Sequence, residues 1–273
     1  MSETLLFDVA PLLPSCLTTL SSISSDPPGS FANVFLKLEY FNPIGSYKDR
    51  MTKSIEETEK RGGLKAGITM VEARSGGTGS SLALICAAKG LSLPTMRAFS
   101  TQVDIIQSPS GKIHADLIPS IIRRVAEHLK DPQMYWTDQS NNRDAFVEYQ
   151  LLGSELTDQF PNGTDAFCGA FGTAGMVMGV ADSWNRHIEG IGISIVPPLL
   201  NKDLVICRRL AKEESLLVGT SMGLNVVGAL GLAKELSSGK TVATVACNTG
   251  LKDIMAICSP RLEIPAMDRR RVM

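Results

Sequence analysis

A lysine in the first turn of a helix can do chemistry that most surface lysines cannot. Lys48 lies in Phe41–Asp49, FNPIGSYKD, between a stretch that reads as a strand and one that reads as a helix. The partial positive charge of a helix N-terminus disfavours the ammonium form. An amine that loses its proton there becomes a nucleophile for carbonyl carbon, which is the requirement for a Schiff-base lysine. Two glycine-rich segments carry a second kind of chemistry. Arg74–Ser81 (RSGGTGSS) and Ala170–Gly175 (AFGTAG) each precede an apolar run. Such loops let backbone N–H groups and a helix start approach a carboxylate or phosphate closely. Neither matches GxxxxGK[ST] or GxGxxG, and the spacing of Gly169, Gly172 and Gly175 does not suit a dinucleotide site. Ser221 and Thr249 place hydroxyls at the ends of further apolar stretches. His114, His128 and His187 pair with no nucleophile by any recognisable motif.

The elements around these residues alternate. Asn33–Tyr40 reads as a strand, with Lys37 and Glu39 starting a polar alternation. Asn42-Pro43 ends it, and Ser46 caps a helix predicted to run to Lys60. Ile68–Ala73 and Val103–Gln107 are strand candidates, and Leu82–Lys89 is an apolar helix. Pro119–Lys130 is an amphipathic helix with Ile121, Ile122, Val125, Ala126 and Leu129 on one face. Met134–Thr137 is extended, and a second amphipathic helix runs over Asp144–Phe160. Asp165–Gly169 is a strand leading through the second glycine loop into a helix over Met176–Trp184. Helices follow at Leu204–Glu214 and Leu224–Leu236, with strands at Leu216–Ser221 and Thr241–Cys247. The order predicts an α/β protein with parallel sheets. Ligands bind such sheets outside the carboxyl ends of the strands, and those ends carry Lys48, both glycine loops, Ser221 and Thr249.

Composition narrows the classes. The chain has 273 residues, is 44% hydrophobic and carries a net charge of −1. That suits one large or two small domains and does not suggest a nucleic-acid or anionic-membrane surface. The six cysteines show no zinc-site spacing and read as buried reduced thiols. The first residues lack the basic region of a signal peptide, and no apolar run reaches the ~18 residues of a membrane span. The expectation is a soluble, cytoplasmic protein with a solvated basic tail at Arg269–Arg271.

Asn42-Pro43-Ile44-Gly45-Ser46-Tyr47-Lys48-Asp49-Arg50 resembles the lysine motif of the cysteine synthase and cystathionine β-synthase family; the order of the other loops matches too, and the resemblance covers most of residues 34–255. The resemblance implies the tryptophan synthase β-like fold (fold type II of the pyridoxal-phosphate enzymes), with two parallel-sheet α/β domains and the cofactor site between them. The smaller domain would span 46–140 and the larger 1–45 plus 141–273. Lys48 would hold pyridoxal 5'-phosphate covalently and later move the α-proton. Arg74, Ser75, Gly76, Thr78 and Gln139 would bind the substrate carboxylate, and Gly77 falls where a side chain usually meets the cofactor's phenolic oxygen. Gly172, Thr173, Ala174, Gly175 and Met176 would cradle the phosphate on backbone N–H groups. Ser221 would face the pyridine nitrogen, and a neutral hydroxyl there favours elimination of a β leaving group. The substrate would be an activated serine such as O-acetylserine, the nucleophile typically sulfide, and the assembly a homodimer.

Departures from the family pattern are Gly77 for Asn, Arg74 for Thr and Met176 for Thr. The connections between Met96 and Val103, after Trp184, and between Leu204 and Cys207 are shorter than the family's. The alternative reading is therefore a shortened, non-catalytic member that acts as a binding or regulatory protein.

Overall fold

The computed structural model describes residues 17–20, 31–64, 68–73, 77–89, 106, 116–184, 189–192 and 197–253. In chain order the strands are β1 (Leu17–Thr19), β2 (Asn33–Lys37), β3 (Thr69–Val71), β4 (Met134–Trp136), β5 (Ala166–Phe171), β6 (Glu189–Gly192) and β7 (Thr241–Val245). The helices are α1 (Lys48–Thr52), α2 (Ser54–Lys60), α3 (Gly77–Lys89), α4 (Leu117–His128), α5 (Arg143–Gln159), α6 (Gly175–Trp184), α7 (Pro197–Glu213) and α8 (Thr220–Leu236). The chain divides into two compact units, one containing Lys48–Ala145 and the other Pro14–Tyr47 with the residues from Phe146 onward.

In the second unit the sheet order is β1-β2-β7-β5-β6. The β2–β7, β7–β5 and β5–β6 pairs are parallel, with Val34 opposite Val242 and Cys168 opposite Thr244. Strands covered on both faces become apolar runs rather than alternations, and TVATV of β7 is buried over Val242–Val245. The core joins Val34, Leu36 and Val242 of the sheet to Met222, Val226 and Ala229 of α8 and to Ile206 and Leu210 of α7.

Several expectations change here. The sheet is not wholly parallel, because β1 runs antiparallel along β2, with Leu17 opposite Lys37. The linking sequence is Ser- and Pro-rich, and proline disfavours the helix that usually makes a parallel crossover. The polar alternation of β2 also fails. Lys37 and Glu39 are both fully buried. Lys37 Nζ lies 2.7 Å from Glu155 Oε2 and donates to Gln159 Oε1 at 2.9 Å, both on α5. Glu39 lies in a 3-10 turn at Glu39–Phe41 and accepts from Asn42 Nδ2 at 2.9 Å. A central strand leaves no solvent face for a charge, so partners replace water.

Described elements flank two of the short connections noted in the sequence. Glu189–Gly192 is itself the strand β6 beside β5, with α6 as the crossover. The helix expected from Leu204 begins at Pro197 and runs unbroken to Glu213. The connection between Met96 and Val103, the strand candidate Val103–Gln107 as a unit, and the basic tail lie outside the described residues.

In the first unit β3 and β4 pair in parallel, with Met70 opposite Tyr135. Their core is Ile55, Leu64, Met70, Leu82, Ala83, Ile85 and Cys86. The single helix expected from Ser46 to Lys60 is two, α1 and α2, separated at Lys53. On α4, Val125 is buried but Ile122 and the C-cap residue Leu129 remain exposed, so the apolar face is only partly covered. No described helix is long and apolar enough to cross a membrane.

Burial fixes the chemistry of the thiols. Cys86, Cys168, Cys207 and Cys247 are all buried and unbridged, and desolvation pushes the Cys86 thiol up to about 12. The thiolate is the reactive form. These four thiols are therefore expected to resist an aromatic disulfide reagent at neutral pH and to react when urea unfolds the chain; rapid native reaction of Cys86 would contradict its burial. A second prediction concerns Asn225, which is 1% exposed. Its Nδ2 donates to Val245 O at 2.8 Å, and its Oδ1 accepts from Ala170 N–H at 2.8 Å. Asn225→Ala leaves the buried Val245 carbonyl and the half-buried Ala170 N–H without these partners, so urea denaturation should show a loss of about 1–3 kcal/mol.

Candidate active site

Lys48 is the first residue of α1, as its sequence position suggests, but Ser46 is not a helix cap. Gly45 turns the chain at φ +75, and Ser46 forms a bridge with Asn248. The Tyr47 N–H donates to Cys247 O at 3.0 Å. The residue bonded to Lys48 is thus held by the loop that follows β7. The rest of α1 is buried through Asp49, Arg50, Met51 and Thr52. Ser81 of α3 donates a short hydrogen bond to Asp49 Oδ1.

Within the same unit as Lys48, three predicted residues come together. Lys48 Nζ donates to Gln139 Oε1 at 3.2 Å, and Thr78 Oγ1 donates to the same oxygen at 3.1 Å. Thr78 and Gln139 are both buried. Helix α3 starts at Gly77, five residues before the expected Leu82, which puts Gly77 and Thr78 in its first turn. The Gly77 carbonyl accepts from Ser81 Oγ at 2.9 Å. Arg74, Ser75 and Gly76 lie outside the described residues.

Glu72 was missed in the sequence. It stands at the carboxyl end of β3, accepts from Ala73 N–H at 2.8 Å and from Gln139 N–H at 3.3 Å, and takes a short hydrogen bond from Thr137 Oγ1. Its position at a strand end, two residues before the glycine loop, was the available signal. The loop carrying Gln139 is tight. Asp138 has φ +40, and its carbonyl accepts from Asn141 and Asn142 N–H, each at 2.9 Å. Asn142 then caps α5, its Oδ1 accepting from Asp144 N–H at 3.0 Å.

The other unit carries the remaining candidates. Ala174 turns through φ +60 and Gly175 starts α6, whose first-turn N–H groups have no partner within the helix. A Cβ on Gly172 would meet nothing within 4 Å, whereas one on Gly175 would lie 3.3 Å from the Tyr149 ring. The loop Gly172–Gly175 is therefore open on one side and floored by an aromatic ring on the other. Met176 is buried, with its Cε close to Gly169, so only its backbone is free to serve a ligand. Ser221 does not end a strand. It lies exposed in the first turn of α8, after the single bridge at Val218.

These groups suit a pyridoxal phosphate piece by piece: an amine, a helix N-terminus with a loop open enough for a phosphate, and a hydroxyl at a second helix start. The family profile described as pyridoxal-phosphate dependent enzyme matches residues 14–205. The chain belongs to the pyridoxal-phosphate-dependent enzyme family. Its cofactor is pyridoxal 5'-phosphate, and within the family it belongs with the cysteine synthases and cystathionine β-synthases. It is 32% identical to a cysteine synthase of Staphylococcus aureus, over 80% of this chain and 86% of the relative. Among solved structures, O-acetyl serine sulfhydrylase isoform 3 of Entamoeba histolytica has a TM-score of 0.79 at 20% identity, over 100% of this chain and 95% of that one. The O-acetylserine dependent cystathionine β-synthase of Helicobacter pylori has a TM-score of 0.76 at 24% identity, over 92% and 96%. The last two show the fold, which is the type II fold expected from the sequence.

The first turn of α5, next to the Gln139 loop, gives a pH prediction. A hydrogen bond from Arg61 holds the Asp144 carboxyl below its ordinary value. A depressed folded-state value contributes stability above the unfolded value, lost as pH falls through the folded one. Asp144→Asn should therefore reduce the urea midpoint at pH 7 relative to wild type, and the difference should shrink as pH falls below about 4. A difference that persists unchanged at pH 2 would contradict the assignment.

Proposed function

We propose that this enzyme replaces the β substituent of an activated serine, with O-acetylserine and sulfide giving cysteine as the leading case. The observation that carries the reading is the Lys48 amine sharing the Gln139 amide oxygen with the Thr78 hydroxyl. The pyridoxal ring, when bound, supplies an electron sink for the pair left at Cα of an amino acid. In this reading Lys48 Nζ is the covalent attachment point and then the base that takes the Cα proton. Thr78 and the Gln139 amide turn to the substrate carboxylate once Lys48 leaves their shared oxygen, with Arg74, Ser75 and Gly76 completing that grip. Glu72 fixes the Gln139 backbone, so the amide arrives oriented. Gly77, which bears no side chain, leaves room beside the cofactor's phenolic oxygen.

The phosphate is assigned to the N–H groups of Gly172, Thr173, Ala174, Gly175 and Met176, where the helix dipole favours an anion. The Ser221 hydroxyl is assigned to the ring nitrogen; being neutral, it does not stabilise a protonated ring, which suits loss of a β leaving group over reactions that need a stronger sink. The same reading makes the protein a cytoplasmic homodimer; for the dimer alone, the exposed apolar side chains of Val147 and Leu151 on α5 are the supporting observation.

The test is cysteine formation from O-acetylserine and sulfide by the cofactor-loaded protein. Wild type should turn over, and Lys48→Ala should lose about 10³-fold or more, the scale on which a positioned general base contributes. Cofactor-loaded wild type that forms no cysteine from these substrates would overturn the reading and favour a binding role.

A further inference from the structure

Helix α8 starts at Thr220 without a cap from its own N-cap residue, Gly219. The missing acceptor comes from 33 residues further along the chain. Asp253 Oδ2 accepts from the Thr220 N–H at 2.9 Å and from the Thr220 hydroxyl at 3.3 Å. Gly219 suits this arrangement, since a Cβ there would lie 2.7 Å from Asp253 Oδ2 and 3.1 Å from Asn248 Nδ2 and would push those side chains aside. The loop 247–253 is laced on two sides. Towards α8, Gly219 N–H donates to Asn248 O at 2.9 Å and Gly250 N–H to Leu217 O at 3.1 Å. Towards the lysine turn, Thr249 N–H donates to Gly45 O at 3.0 Å and Tyr47 N–H to Cys247 O at 3.0 Å. One loop thus holds both the residue bonded to Lys48 and the helix start that carries Ser221.

We infer that Asp253 is a positioning residue that sets the first turn of α8 and thereby aims the Ser221 hydroxyl at the pyridine nitrogen. This rests on the assignment of Ser221 to that nitrogen. The physical basis is that a carboxylate at a helix N-terminus is favoured by the dipole, and that a cap fixes where the first turn begins. In this assignment Asp253 acts through Thr220, to which its carboxylate is bonded. It lies beyond the 14–205 segment that the family profile matches, and its role comes from these contacts rather than from any motif.

The experiment uses the full chain loaded with pyridoxal phosphate and compares Asp253→Ala, Asp253→Asn, Gly219→Ala, Ser221→Ala and the Asp253→Ala/Ser221→Ala double variant, with Lys48→Ala as the control for the visible band. Three quantities are read: cofactor affinity by absorbance titration, the pH titration of the visible band, and the melting temperature without cofactor. Asp253→Ala should weaken cofactor binding about five- to tenfold, the scale of a lost cap, and displace the band's titration in the direction that Ser221→Ala does. Gly219→Ala, which pushes a Cβ into the carboxylate, should reproduce this signature if Asp253→Ala fails to fold. Asp253→Asn should restore wild-type behaviour, because its amide oxygen still accepts from Thr220. The double variant should be no worse than Ser221→Ala. A lower melting temperature with unchanged affinity and band titration in Asp253→Ala, or effects that multiply in the double variant, would overturn the inference. If Ser221→Ala itself leaves the band's titration unchanged, the ring-nitrogen assignment fails and the inference falls with it; a silent Asp253→Ala beside an altered Ser221→Ala sinks the inference alone.

Discussion

At the carboxyl end of a parallel strand the chain leaves the ladder, and its backbone N–H and C=O groups must find other partners or water. The same edge is where ligands bind, so the partners must satisfy the backbone without filling the site. In this protein side-chain amides and carboxylates do that work. Asn225 takes the Ala170 N–H and the Val245 carbonyl. Asn142 caps α5 and donates to Thr137 O at 3.1 Å. Asp253 caps α8, and Glu72 takes the Gln139 N–H. Two of them stand directly behind residues in the functional reading: Glu72 behind Gln139, and Asp253 behind the turn of α8 that carries Ser221.

That division explains what was legible in the sequence. The strand, turn and helix order was readable because β2, β5, β7 and the helices between them are marked by apolar runs and by Gly and Pro. The placement of Lys48 in a first helical turn was readable because its motif is local, and that of the Gly172–Gly175 loop because its glycines adjoin a helix start. The supporting residues were not readable, because their partners are distant in sequence. Asp253 and Thr220, or Glu72 and Gln139, meet only when the strand ends are brought together, and no periodicity records that. Element boundaries failed for the same reason. Ser46 looked like a cap but is held by Asn248 across the sheet edge, and Lys37 looked like a solvent-facing lysine but is buried against Glu155 and Gln159 of α5.

Gln139 links the fold to the chemistry. Its side-chain oxygen is shared by an amine and a hydroxyl, while its backbone N–H is fixed by Glu72. A neutral amide can serve either partner: it accepts from the amine now, and its NH₂ can donate to an anion when the amine is engaged elsewhere. A carboxylate in the same place would favour the ammonium form and repel an anionic substrate. The residue type is therefore suited to a site where the lysine must change partners during turnover.

The central claim is that Lys48 is the residue that carries the cofactor. The most direct measurement is borohydride reduction of the cofactor-loaded protein, followed by proteolysis and mass spectrometry of the labelled peptide. One stoichiometric pyridoxyl adduct is expected, on the peptide containing Lys48. An adduct on another lysine with Lys48 unmodified, or no adduct on folded, loaded protein, would contradict it.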